Sequence, residues 1–444
     1  MSQDSNPGDD PQDFLRRLFD QSGFSFSGDS LKDVLGQVQR SFAQLNSGSG
    51  LNAEQMKTAV RQAVAASGSD PAITYQQQRE VGEAARLAEM WLDDITEMTR
   101  TTKPAVGMSR ASWVEETMES WQIVVAPIVS SLAEAMSKVV GTNPELGDDE
   151  LAQIGKFLAP MMKNAAATMY AMQLSNSIAK LATQTLTGSE IGLELFDTPK
   201  VVLLPTNIAE ATAGFGLSHE DILIYLTVRE AARQRLFNSV GWLGPQLLAM
   251  LKHYASKIQI DTTAISEAFD PQQFASDLNP QELSEIGERL SGRLFQPTRS
   301  QEQEEIVERL ETLLALIEGW VDEVSSLAIA PWMRERSDQL IEMVRRRRAV
   351  EAPGSQTLNA LVGMELNPRR VRDAANLWAA LTQKRGSAGR DHVWSHPDLI
   401  PTAEDFADPM GFAASDHELT ESDELDAALR QLLDEEAGQD GKND

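Results

Sequence analysis

The chain of 444 residues carries 67 acidic and 39 basic side chains, a net charge of −28, with 41% hydrophobic and 24% charged residues and no cysteine. The lack of thiols excludes disulfides, cysteine nucleophiles and thiolate metal sites, and the charge argues against nonspecific binding to nucleic acid or an anionic membrane surface. The apolar fraction is that of a folded globular protein with a substantial core.

Residues 1–50 are rich in Ser, Gly, Asp and Gln, with one short amphipathic piece at Asp13–Phe19, and read as a flexible N-terminal arm. Met1–Pro11 is polar and acidic, and no run of about 18 apolar residues follows, so the expectation is a cytoplasmic protein with no membrane span. Apolar residues at helical spacing predict helices over Ala53–Ala66, Ile73–Met98 and Trp113–Val140, with Asn52 and Ser112 as caps and Pro127 bending or splitting the third. Glu150–Leu186 is an Ala- and Met-rich stretch interrupted by Pro160, read as a central packed helix. Residues 51–187 thus form an N-terminal helical region.

Lys200–Asn207 reads as a short buried strand, and Ser218 as the cap of a helix whose first turn holds Glu220 and Asp221. On that helix lies Arg229-Glu230-Ala231-Ala232-Arg233. In an H-E-x-x-H helix, two His four residues apart hold Zn²⁺ and the Glu is the general base for the bound water. Here the Glu stands between two arginines, and a guanidinium has no lone pair to give a cation. Further helices are predicted over Pro245–Ile258, Thr262–Phe269, Pro280–Leu294, Gln301–Leu327, Trp332–Arg348, Ser355–Met364 and Pro368–Lys384. Residues 413–444 contain 11 acidic and 2 basic side chains and read as an acidic flexible tail.

Several segments in one order carry a resemblance over roughly residues 188–409. They are Arg229–Phe237, Glu318–Asp322, Arg345–Ala349, Leu361–Leu366 with Pro368-Arg369-Arg370, and Gly389–Asp391 running on to Trp394–Asp405. In these the chain resembles the zincin-like hydrolase family, a bacterial group often labelled zinc-dependent metalloprotease or associated with coenzyme F420 biosynthesis. The resemblance implies a zincin-like helical region over 188–412, mainly α-helical with at most a few short strands before the R-E-A-A-R helix. It also implies that Arg229 and Arg233 stand where the zinc ligands would be, that Glu230 is a vestigial base, and that Glu318 matches the third ligand of gluzincin-type proteases. Ile317, Trp320, Val321 and Val324 suggest buried surroundings for Glu318, where a carboxylate needs a partner. Arg229 and Arg233, one turn apart, could supply it by taking over the electrostatic role of the metal and holding Glu230 and Glu318 as ionised partners. The alternative is that the two arginines lie on a solvated helix face.

Little else offers a catalytic site. His392 and His396 are four apart but Pro397 breaks the helix, and His253 falls on an amphipathic helix. No G-x-S-x-G, G-x-x-x-x-G-K-[ST] or G-x-G-x-x-G string occurs. Arg345–Arg348 and Arg369–Arg372 are the dense basic clusters; Arg345–Arg348 reads by default as a solvated helix end, and a second reading has both clusters facing the acidic tail or binding an anionic ligand. The reading is a zinc-metallopeptidase-like protein with a degenerate motif. It is expected to be a non-catalytic binding member without a cofactor, taking a peptide or protein partner in the former active-site cleft. The alternative is an active metal-dependent peptidase with Glu230 as base and zinc on other ligands, and a third reading is a purely structural helical scaffold.

Overall fold

A computed structural model describes residues 53–141, 173–258, 300–350, 353–362 and 370–415. The N-terminal arm, the helices expected at Thr262–Phe269 and Pro280–Leu294, most of the Ala- and Met-rich stretch and the tail beyond residue 415 lie outside the described residues.

The fold is mainly helical, as the sequence predicts. Helix α1 (Ala53–Ala66) is followed by α2 (Tyr75–Leu92), which starts at a capping box. Thr74 Oγ1 accepts from the Gln77 amide at 3.2 Å, and Gln77 Oε1 accepts from the Thr74 amide at 3.0 Å. The long α3 (Arg110–Gly141) runs through Pro127 as one helix, so of the two expected outcomes, a bend or a split, the split does not occur. Nor is Ser112 its cap. The helix begins two residues earlier, where the Asp70 carboxylate accepts from the amides of Arg110 and Ala111 and Ser109 Oγ accepts from the Ser112 amide. A side chain from a preceding loop took the role that local spacing assigned to Ser112.

The helix over residues 173–184 (α4) leads into a loop and then β2 (Val202–Leu203). That strand pairs in parallel with β1 (Val106–Gly107), Val106 opposite Val202 and Gly107 opposite Leu203. It is shorter than predicted because Pro205, which lacks an N–H to donate, opens the short helix α5 (Pro205–Ala211). Next comes α6 (His219–Ser239), the helix carrying R-E-A-A-R. Ser218 Oγ caps it at the Asp221 amide, with Glu220 and Asp221 in its first turn as predicted.

Then follow α7 (Leu243–Ser256), α8 (Gln301–Ile329), α9 (Ser337–Val350), α10 (Pro353–Val362), α11 (Arg370–His392) and α12 (Pro409–Ala414). Short 3-10 turns link the last two. Helix α6 is buried on every side and lies between α2 and α8, while α8 packs against α11 on its other flank. The α8/α11 approach depends on Gly319, where an added Cβ would come within 2.7 Å of the Ala375 backbone nitrogen. Trp320 and Trp378 seal this contact from the two sides. Their indole N–H groups donate to Asp391 Oδ1 at 2.9 Å and to the Leu316 carbonyl at 2.8 Å. No helix among the described residues is long and apolar enough to cross a membrane.

Candidate functional site

A helix buried all round must satisfy every polar group it carries. Arg229, Glu230 and Arg233 are 4%, 0% and 2% exposed, so the solvated-face alternative does not hold for them. Arg233 donates from Nε and Nη2 to Glu318 Oε1 at 2.9 and 2.7 Å, and from Nη1 to Glu230 Oε2 at 2.8 Å. Arg229 reaches the same helix one turn apart, to Glu318 Oε2 at 3.1 Å and Asp322 Oδ1 at 2.6 Å. Glu318 and Asp322 are four residues apart on α8, so both carboxylates project from one face toward α6.

A third arginine completes the group. Arg348, from the last turn of α9, donates to Glu318 Oε2 at 3.1 Å and to both oxygens of Asp322 at 3.0 and 3.1 Å. Three guanidiniums thus face three carboxylates, a balanced set of charge-assisted hydrogen bonds. The run Arg345–Arg348 does not behave as the uniformly solvated helix end that the sequence suggested. Arg346 points outward to Glu342, whereas Arg347 holds Glu190 Oε1 at 3.1 Å and Arg348 enters the cluster.

The far side of Glu230 is closed by the loop before β2. Glu230 Oε1 accepts from the Ser189 amide at 3.1 Å, Ser189 Oγ at 2.9 Å and Gln234 Nε2 at 3.3 Å. Gly188 makes room for this, since a Cβ there would sit 2.7 Å from Val202 and 3.2 Å from Glu230 Oε1. Burial pushes the Glu230 carboxyl up, against the pull of Arg233 and the Ser189 donors. Burial acts on Glu318 in the same sense. There the charges of Arg233, Arg348 and Arg229 more than reverse it, and the Glu318 carboxyl sits below the usual range. Asp322 is likewise driven well below its ordinary value by Arg229 and Arg348 despite its burial.

Beside this set stands Glu194, which pattern reading did not single out. Its Oε1 accepts from the Phe196 amide at 3.1 Å, and its Oε2 is buried without a hydrogen-bond partner. Burial raises its pKa to about 8, the charge of Glu230 adding to the effect. Ser189, Glu194, Asp322 and Arg348 were all missed as members of the site. The one available signal was the four-residue spacing of Glu318 and Asp322.

The histidines stand apart. His392 ends α11, and His396 follows a 3-10 turn in extended backbone, with Nδ1 accepting from the Asp398 amide at 3.2 Å. His253 is surface-exposed and meets Glu302 at 2.8 Å.

Zinc requires lone-pair donors. At the flanks of Glu230 stand two guanidiniums, which have none, and each oxygen of Glu230, Glu318 and Asp322 already accepts from at least one N–H. Among the described residues no group of three or more His, Asp or Glu is placed to hold a metal. The side chains at this position therefore do not fit a zinc ion. Glu230 itself has no exposed surface.

The fold is similar to a crystal structure described as a "putative hydrolase with a novel fold" from Chloroflexus aurantiacus. The two are 16% identical with a TM-score of 0.54, and the match covers 82% of this chain and 97% of that one. At that identity the likeness concerns the fold alone. No curated relative matches the sequence. The sequence profile of the zincin-like metallopeptidases matches residues 51–413, and with α6, α8 and their charged cluster inside that span, the chain belongs to the zincin-like metallopeptidase family.

Proposed function

We propose that this chain is a family member whose motif is degenerate at the metal position, and that it acts by binding a peptide or protein partner rather than by metal-dependent hydrolysis. The observation that carries this reading is the engagement of Arg229 and Arg233 with Glu318 and Asp322 around a fully buried Glu230. The ion pairs hold α6 against α8, the task a shared metal would otherwise perform, and supply no Lewis acid. The test is metal analysis by mass spectrometry of protein purified without chelators. The expected result is no stoichiometric zinc. About one zinc per chain, lost on changing Glu230 or Glu318, would overturn the reading.

Family membership favours a second reading, an active metal-dependent peptidase or hydrolase with Glu230 as its base. One variant separates the two. In the binding-protein reading Glu230→Gln under-compensates Arg233 and lowers the unfolding free energy by about 1 to 3 kcal/mol, with no peptide cleavage before or after the change. In the peptidase reading, cleavage of a peptide library by the wild type vanishes in the variant while the melting temperature stays put.

A further inference from the structure

We propose that an apolar slot at the C-terminal end of α9 is the docking site of this chain's own acidic tail, which seats leucines of Leu425–Leu433 in the slot and sets the flanking carboxylates against Arg345 and Arg346. The slot encloses about 160 Å³. That is below the roughly 300 to 1,000 Å³ of small-molecule sites and suits an aliphatic side chain from a larger partner. Buried Leu186 and Met343 line it together with exposed Phe215 and Val350, and Arg346 and Arg347 add their side chains.

Val350 and Phe215 are 80% and 43% exposed, and two large apolar side chains left in water on one slot point to something that covers them. The loop that holds Phe215 between α5 and α6 is shaped for the purpose. Gly214 and Gly216 on either side of it have φ of 92° and 71°, a region that residues with a Cβ rarely enter.

Charge identifies the occupant. Arg345 and Arg346 are exposed on α9, and among the described residues no ion pair engages Arg345, while Arg346 meets Glu342 in solvent. Residues 416–444, outside the described residues, hold 11 acidic and 2 basic side chains. Within them Leu425, Leu429, Leu432 and Leu433 recur at helical spacing, with Asp423, Glu424 and Asp426 at one end and Asp434, Glu435 and Glu436 at the other. This one segment supplies both the aliphatic groups that the slot lacks and the anions that Arg345 and Arg346 attract. A second copy of the chain would bring a further net charge of −28 against the first. Leu429 lies 14 residues beyond Ser415, a tether of about 45 Å when extended, longer than the radius of a compact chain of this length. Tethering also gives the tail an effective concentration on the order of millimolar, so modest contacts suffice. Docking would cover the outer face of the helix that carries Arg348 into the charged cluster, and it holds whether or not that cluster binds metal.

The chain has no cysteine, so spin labels on Ala213→Cys, beside Phe215, and Ala428→Cys, among the leucines, report one pair in the full-length protein. Pulsed dipolar spectroscopy is expected to show a narrow distance population. That population is expected to fall about threefold when Arg345→Glu and Arg346→Glu are added, and similarly at high salt, because exposed ion pairs are screened. It is expected to fall about tenfold when Leu425→Ser, Leu429→Ser, Leu432→Ser and Leu433→Ser are combined. The leucine changes leave the slot itself unaltered, and a second pair, Ala213→Cys with Ala349→Cys, should keep its distance in every variant. A broad Ala213–Ala428 distribution without these changes overturns the proposal, as does a narrow one that survives the leucine changes. A dipolar signal between singly labelled chains mixed in equal amounts also overturns it, by making a second copy the occupant.

Discussion

Replacing Glu318 by Gln is expected to lower the unfolding free energy by about 3 to 5 kcal/mol, the largest effect of any single change in the charged cluster. Glu318 alone accepts from all three arginines, through Arg229, Arg233 and Arg348. Glutamine keeps the shape, removes one of three negative charges, and turns an NH₂ group toward a guanidinium. The buried positive charge then exceeds the negative, and breaking such a set from one side costs far more than the intact set contributes. Adding Arg348→Gln to the variant restores the charge count and should return part of the loss, a coupling that independent sites would not show. Urea unfolding with an unchanged denaturant slope measures both effects. A loss under about 1 kcal/mol for Glu318→Gln would mean that the cluster is held by something other than these ion pairs. The carboxyls of Glu318 and Asp322 are held below their ordinary values, so their contribution is present at neutral pH and lost as pH falls through the folded-state values.

The opposite flank of the stability profile belongs to Glu194. Its folded-state pKa of about 8 lies above the ordinary 4.5, so the folded chain keeps a proton that the unfolded chain releases between those values. The stability this proton confers is fully present below pH 4.5 and declines as pH rises toward 8. The total decline is roughly 3 to 5 kcal/mol if the shift is fully expressed. Ionisation would place a second negative charge near Glu230 and leave the buried Oε2, which has no donor, charged. Glu194→Gln should remove this slope. Urea unfolding of wild type and variant at pH 5, 7 and 9 compares the two slopes, and any constant effect of the substitution drops out of the comparison. Identical pH profiles would show that Glu194 is already ionised at neutral pH. With carboxylates lost on the acid side and Glu194 on the alkaline side, the wild type should be most stable in mildly acidic solution.

Much of the frame was legible without coordinates. The apolar spacing of residues 53–66 and 301–327, and the Ser218 cap with its acidic first turn, are local signals, and local signals survive folding. The unsuitability of Arg229 and Arg233 as zinc ligands is also a property of the residue type, since no fold gives a guanidinium a lone pair. Tertiary structure decided the rest. A helix face of Arg and Glu reads the same whether it meets water or a second charged helix, and only the burial of α6 between α2 and α8 distinguishes the two. Apart from Glu230 and Arg233, three apart on α6, the paired charges of the cluster lie 26 to 93 positions apart in the chain, well beyond the reach of any periodic pattern. The division of Arg345–Arg348 into outward and buried members followed from how α9 meets α8. Glu194 and Ser189 sit in a loop without periodicity, and they joined the site because β2 brings that loop over Glu230. Residue chemistry fixed what the site cannot hold, while long-range packing, which no local pattern encodes, decided which charges meet.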